Sequence, residues 1–289
     1  MKNMVEKETI ERPNVKKQAL ELRSTIGSVL KYTALSILSF ISIFPFVWMV
    51  LGMTNTPVDI TSGKIKIGSN LIINFQNLFS NELNFTRSLW NSAMIALVTT
   101  VFALLISSMA GYGFEIYQSK RKDLIFNILL LSMMVPFAAL MIPLYRMFSQ
   151  LNGTVLGINS FLVVILPSVS TAFLIFFFRQ NVKSFPKDLV EAARLDGLKE
   201  LSIFFRVYMP TAKNTYAAAA IITFMSSWNN YLQSPDKRTV PLVLSAMGAS
   251  YTPDYGMIMA GLVIATLPTA IVFFVLQKQF VQGMIGSVK

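Results

Sequence analysis

Glu191-Ala192-Ala193-Arg194-Leu195-Asp196-Gly197, closed thirteen positions later by Pro210, lies between two strongly apolar segments. Pro186 suits the first turn of a helix, where its missing donor is not needed. Lys187 to Leu195 then reads as a short helix with Leu189, Ala192 and Ala193 toward one face. Gly197 can take the left-handed conformation that ends such a helix. Asp196 or Gly197 would cap a second helix over about 198–209, with Glu200 in its first turn and Leu201, Phe204, Phe205, Val207 and Tyr208 as its apolar positions. Pro210 marks its end or a kink. The product is a helix–glycine–helix elbow, stiff enough to transmit a push. Its alanines would admit close approach, and Glu191 would offer a carboxylate to a partner's donors. The residues alone also allow an ordinary internal loop packed on its own bundle.

The chain around this elbow is 54% hydrophobic and only 13% charged, with a mean hydropathy of +0.57. Soluble domains are about a quarter charged, so this is an integral membrane protein. Six apolar runs stand out, at about 30–52, 88–114, 124–143, 158–178, 214–232 and 256–277. A helix needs about 20 residues to cross the hydrocarbon layer, and most of these runs reach that length. The alternating ten-residue segments of a barrel are missing. The expected fold is all-α: a polytopic bundle of six transmembrane helices. Residues 1–29 form a polar lead-in and 30–289 the membrane domain, with the elbow in a loop over 179–213.

The formal net charge of +11 raises the question of nucleic acid, but its distribution answers it. If the first span leaves the cytoplasm, nineteen of the 25 Lys and Arg residues fall on the inner side. Lys64, Lys66, Arg87, Arg146, Lys237 and Arg238 fall outside. That asymmetry is the positive-inside bias, and it places both termini in the cytoplasm of a multi-pass plasma-membrane protein. The basic excess is topological, and no nucleic-acid partner is expected. About 29 polar residues precede the first run, which is itself too long for a signal-peptide core, so no cleavable signal is expected. Within the lead-in, Val15, Leu20, Leu22, Ile26 and Val29 interleave with Lys16, Lys17, Glu21 and Arg23. This pattern fits an amphipathic helix on the membrane surface or a solvated lead-in helix.

Cysteine and histidine are absent, which removes disulfides, thiolate nucleophiles and the usual zinc sites. No Asp, Glu, Lys or Arg occupies the central part of any span. Ion-coupled carriers and voltage sensors place charge at membrane depth, so the expectation is a neutral cargo or driving energy from elsewhere, with a sodium site built from carbonyls left open. Glu115 and Asp123 only flank a short basic loop containing Lys120, Arg121 and Lys122, which makes the second and third spans antiparallel neighbours. The segments at 53–87 and 233–255 read as external loops, the first largely irregular. Prolines 136, 143, 167 and 268 lie in or at the ends of spans and would kink or end them.

Neutral polar groups do enter the spans: Asn91 and Ser92 near the start of the second, and Trp228, Asn229, Asn230 and Tyr231 near the outer end of the fifth. Amides that pair with hydroxyls and rings that cover C–H faces suit a sugar. The competing reading makes the amides interhelical glue and the rings an interfacial belt.

The elbow with Pro210 resembles the E-A-A…D-G…P loop of permease subunits of binding-protein-dependent ABC importers. The Asp-Gly form is similar to the carbohydrate branch, in particular the second, smaller permease of maltose-type systems. Trp90-Asn91-Ser92, Ala110 through Phe114, Pro136 through Tyr145, Phe224 through Asn229, Ala260-Gly261 with Leu267-Pro268, and Phe280 through Gly283 follow in the family's order. The elbow motif is specific, and the other matches are individually weak.

The resemblance implies that Glu191, Ala192, Ala193, Asp196 and Gly197 are interface residues seated in a cleft of an ATPase, with no catalytic role. It implies a homologous second permease, two nucleotide-binding ATPase subunits, an external solute-binding protein and a carbohydrate substrate. ATP and Mg would sit on the ATPase subunits, since no G-x-x-x-x-G-K-[ST] loop occurs here. Asn91, Trp228, Asn229, Asn230 and Tyr231 would line the substrate path. Two departures stand out. The chain passes from Tyr231-Leu232 directly to Gln233-Ser234-Pro235-Asp236, which shortens the fifth span, and Asn214 replaces a proline common after the motif. The reading from another class is a secondary carrier or facilitator that works without ATPases; a structural or assembly protein is the third.

Overall fold

The computed structural model describes residues 13–231 and 237–286. Among them every regular element is helical. Helix α1 (Pro13–Gly52) carries the lead-in and the first span as one 40-residue element, with Pro45 inside it. The lead-in therefore continues the span's axis. The charge-dense start, Lys2 through Arg12, lies outside the described residues.

Between the first two spans the expected irregular segment contains two helices, α2 (Pro57–Thr61) and α3 (Leu71–Ser80). Thr56 caps α2 by accepting from the Asp59 N–H at 3.2 Å, with Pro57 in the first turn. Buried amides knot the segment together. Asn74 Nδ2 donates to the carbonyls of Met53 and Asn55 at 2.8 and 2.9 Å. Asn55 Nδ2 donates to those of Leu51 and Lys66 at 2.8 and 2.7 Å. Neutral amides can satisfy chain ends that turn at a membrane boundary, which is how an Asn- and Ser-rich stretch becomes ordered.

Helix α4 (Phe85–Ile116) is the second span. The third run does not fold as one straight span. It breaks into α5 (Lys120–Ser132) and α6 (Phe137–Gln150), bent by 98°. Pro136 is the cause: it disfavours helical backbone at Val135 and brings no N–H of its own. The last turn of α5 instead closes through tight bonds, including Met134 N–H to Leu131 at 3.1 Å and Val135 N–H to Ser132 at 3.2 Å. Pro143, Pro167 and Pro268 are tolerated inside helices. The fourth span joins α7 (Leu162–Ser168) to α8 (Ala172–Lys183), where Thr171 accepts from the Leu174 N–H at 3.3 Å.

The elbow supplies α9 (Asp188–Leu195) and α10 (Glu200–Ile203), followed by a π-helical turn over Phe204–Tyr208 and α11 (Met209–Thr211). Helix α12 (Lys213–Trp228) is the fifth span, only 16 residues long. At 1.5 Å per residue that is about 24 Å, short of a roughly 30 Å hydrocarbon layer. The Gln233–Asp236 departure lies outside the described residues. The expected final loop contains α13 (Val240–Gly248), and the last described element is α14 (Tyr255–Gly286), longer than its apolar run.

Among the described residues four helices are long and apolar enough to cross a membrane, and the bent α5–α6 pair makes up to five. With the short α12 they form the polytopic bundle. Helix α4 is its keel, packed along α8 and α12, while α14 lies against α12. Phe85, Ala96, Phe224, Trp228, Val240, Val243 and Met257 form the main core. Small residues let the backbones meet. A side chain at Gly111 of α4 would lie 2.7 Å from the Arg179 nitrogen and 2.8 Å from Phe178 Cβ of α8. Close approach of this kind gives van der Waals attraction where lipid offers no hydrophobic driving force.

Candidate functional site

The elbow is built by its backbone. Lys187 is the N-cap of α9, so Pro186 stands just before the helix. Asp188 and Glu191 fall in the first turn, where the helix dipole favours anions, and Arg194 falls in the last. At the other end the Gly197 N–H donates to Arg194 and the Leu198 N–H to Ala193, both at 3.0 Å. Gly197 has φ +78°. This is a Schellman closure, and it needs a residue free to enter the left-handed region. Neither Asp196 nor Gly197 caps the second helix, contrary to the sequence expectation. Asp196 is the C-cap of α9, and Lys199, extended and without a side-chain cap bond, starts α10.

Pro210 does not end the second helix either. The Met209 N–H donates to Phe204, five residues back. In a regular α-helix the proline ring would press on the carbonyl four residues earlier, and a wider turn relieves it. Helical chain therefore runs nearly unbroken from Glu200 into the fifth span.

Which face of α9 is free also differs from expectation. Val190 and Ala193 are buried with Ile203, under Ile116, Phe185, Leu198 and Val207. Leu189, Glu191, Ala192 and Asp196 are exposed, and Leu195 is 89% exposed. Ala192 and Ala193 thus part company, because consecutive helical residues point about 100° apart. Ala193 grips the chain's own bundle. The outward face carries Leu189, Ala192 and Leu195, continued by exposed Leu201 of α10.

Charges fasten this elbow to α4. Glu115, 4% exposed in the last turn of α4, accepts from Gln118 Nε2 at 2.7 Å and from Arg179 Nε at 3.2 Å. Lys187 Nζ reaches Oε1, the oxygen that also accepts from Gln118, at 3.4 Å. Arg179 also pairs with Asp123 at 2.8 Å and lies 4.1 Å from the centre of the Phe126 ring. On the far foot Arg194 grips Glu200 at 2.7 and 3.2 Å, and the Tyr117 hydroxyl donates to the same carboxylate. Arg194, and after it Tyr117, hold the Glu200 carboxyl below its ordinary range. Burial first, then Glu200, pushes the Tyr117 phenol up to about 12. Sequence reasoning noted Glu115 only as flanking a loop. The available signal was a carboxylate in the last turn of an apolar helix, where the dipole disfavours it and cations must gather.

The substrate-path candidates separate. A cleft of about 440 Å³ between α12, α13 and α14 is lined by Met225, Trp228, Asn229, Tyr231, Leu244 and Thr266, among others. Asn229 is exposed, with its Nδ2 donating to the Met225 carbonyl at 2.9 Å. Tyr231 is exposed beside it. Trp228 reaches the cleft only at an edge. It is 3% exposed, and its ring stacks on Phe224 at 5.9 Å. Asn230 stands outside the lining. Asn91 is buried, and its Nδ2 donates to the Arg238 carbonyl at 3.0 Å, while neighbouring Ser92 Oγ accepts from the Val240 N–H at 2.9 Å. Those two residues fasten α4 to the start of α13, which is the glue reading. Ser245, Thr266 and Thr269 also line the cleft and carried no sequence signal, being ordinary hydroxyls in apolar helices.

A polytopic helical bundle with a charged, outward-facing elbow and no charge in its middle has the form of a membrane transport subunit. Its fold matches a chain of a bacterial ABC transporter involved in the import of the acidic polysaccharide alginate, with a TM-score of 0.78, 20% identity, and coverage of 89% of this chain and 98% of that one. The family model described as binding-protein-dependent transport system inner membrane component matches residues 104–286. The chain belongs to that family. It is 47% identical to the lactose transport system permease protein LacG of Rhizobium radiobacter, over 93% of this chain and 98% of that protein. It is 35% identical to the arabinooligosaccharides transport system permease protein AraQ of Bacillus subtilis, over 87% and 92%. Family membership makes the chain a multi-pass transport component rather than an enzyme, working with other subunits.

Proposed function

We propose that this chain is one of two permeases of an ATP-driven importer that brings a carbohydrate, most simply an oligosaccharide, into the cytoplasm. Two nucleotide-binding ATPase subunits would hold ATP and Mg, and one of them would seat the elbow through Glu191, Ala192, Leu195, Asp196 and Gly197, while the other permease would be homologous to this chain. An external binding protein would deliver the sugar. Both termini would be cytoplasmic, a reading the Lys and Arg distribution supports. The observation that carries the reading is the elbow: a Schellman-closed helix presents an apolar tip, Leu195, to solvent at the end of a charged loop. Exposed apolar tips on rigid supports are what a partner's cleft takes up.

Support for a carbohydrate comes from the relatives, whose names specify lactose and arabinooligosaccharides, and from the cleft, where Asn229 and Tyr231 offer an amide and an aromatic face. No charge sits at membrane depth to oppose a neutral cargo. The test is uptake of labelled sugar by cells lacking this chain and by the same cells carrying it, with unlabelled lactose and arabino-oligosaccharides as competitors. Uptake that returns with the chain, needs ATP and is competed by one of these sugars bears the reading out. Uptake that persists when the ATPases are removed assigns the chain to secondary carriers instead.

A further inference from the structure

We propose that Glu115 and Glu200 are positioning residues that clamp the two feet of the elbow to the end of α4, so that the stroke enters the bundle through the second span. This rests on the reading that an ATPase seats the elbow, and it adds the route by which force leaves it. The elbow enters at Lys187 and turns back at Glu200, and both ends reach the same place. Lys187 Nζ is 3.4 Å from Glu115 Oε1. Glu200 receives the hydroxyl of Tyr117, the residue that caps α4. Between these feet, Arg194 pairs with Glu200 at 2.7 Å and so fixes the angle between α9 and α10.

The first clamp is the more buried. Glu115 is 4% exposed and also holds Arg179 of α8, which in turn holds Asp123 of α5. One carboxylate therefore joins α4, α8 and the elbow, and through Arg179 the first turn of α5. Directly above it Gly111 brings the backbones of α4 and α8 into contact, so these helices move as one body. The second clamp is half-exposed, and exposed ion pairs add little to stability. Its geometry nevertheless decides the direction in which α9 pushes. Helix α10 runs on into α12, but the π turn before Pro210 makes that connection the softer of the two.

The test uses the assembled transporter, this chain with its partner permease, ATPases and binding protein, in proteoliposomes. It measures ATPase subunits retained and sugar moved per ATP hydrolysed. Glu200→Gln is expected to keep the ATPases bound while sugar moved per ATP falls about tenfold, the effect of losing a hydrogen bond to a charged group. Glu200→Asp should recover part of it. Arg194→Glu alone should uncouple, and Arg194→Glu combined with Glu200→Arg should regain coupling. Glu115→Gln should uncouple further. Unchanged sugar per ATP in the Glu115→Gln, Glu200→Gln double variant overturns the proposal. So does failure of the swapped pair to regain coupling, or loss of the ATPases from Glu200→Gln. If Glu115→Gln fails to assemble, the Glu200 and Arg194 variants decide alone. Should the docking reading itself be wrong, the unsubstituted chain retains no ATPase, which separates the two failures.

Discussion

The backbone N–H of Leu198 donates to the carbonyl of Ala193 at 3.0 Å, wrapping the chain around Gly197 at φ +78°. The bond satisfies an otherwise orphaned helix carbonyl and swings Leu198 onto the apolar cluster beneath α9. Nothing lies within 4 Å of the place a Cβ would occupy at Gly197, so substitution there meets backbone strain alone.

Gly197→Ala should therefore cost about 1–2 kcal/mol locally, the penalty of a left-handed Cβ, and Gly197→Asn should cost less. Gly197→Pro fixes φ near −65° and removes the N–H that bonds Arg194. ATP-dependent uptake should fall in the order Asn, Ala, Pro, and vanish for proline with membrane insertion intact. Normal uptake by the proline variant would contradict the elbow's role.

Gly111→Ala acts differently. Its Cβ would meet the Arg179 nitrogen at 2.7 Å, the Phe178 Cβ at 2.8 Å and the Ile175 carbonyl at 3.0 Å, none of them flexible. Helices α4 and α8 must separate, at a cost of about 1–3 kcal/mol, and Arg179 is drawn from Glu115. A lower melting temperature for purified Gly111→Ala, with Gly113→Ala unaffected, checks this, since Gly113 has open space beside it.

The second clamp should have a pH window. The Glu200 pKa is lowered on folding by Arg194 and then Tyr117. Its contribution is complete above the ordinary glutamate value of 4.5 and disappears as pH falls through the lower folded value. Tyr117 is raised to about 12 from 10, so its contribution holds below pH 10 and is lost as pH rises through about 12. A tyrosinate difference titration, parent minus Tyr117→Phe, should isolate one phenol ionising near 12. Glu200→Gln should lower that midpoint without returning it to 10, because burial is the larger cause.

The substrate candidates should part in their kinetics. Asn229→Ala and Tyr231→Ala should raise the sugar concentration for half-maximal uptake several-fold, the loss of one contact of about 1 kcal/mol. Asn91→Ala should lower thermal stability instead, because its amide serves the Arg238 carbonyl. A specificity change on Asn91→Ala would return that residue to the sugar path.

The fold and family were legible because their signals are one-dimensional: apolar run length, charge asymmetry, and a motif read in order. The glycine turn was legible for the same reason, since a local conformation needs a local residue. What stayed hidden depends on neighbours distant in sequence. The break at Pro136 was legible as a kink or an end, but its 98° angle, the order brought to 53–87 by Asn55 and Asn74, and which of Ala192 and Ala193 faces the bundle are decided by what packs alongside. Asn91 and Trp228 read as path residues because an amide and an indole carry no mark of which partner they find; in the fold the Asn91 amide bonds the Arg238 carbonyl, and Trp228 stacks on Phe224 at the edge of the cleft.

Leu195 offers the most direct test of the account, because the chain contains no cysteine and a single one can be labelled. Leu195→Cys carrying a short photo-crosslinker, in the complete transporter, should capture a nucleotide-binding subunit in high yield. Buried Val190→Cys should capture none. An elbow that captures no ATPase at any stage of the nucleotide cycle, while the transporter still moves sugar, would contradict the claim that this bundle is driven through it.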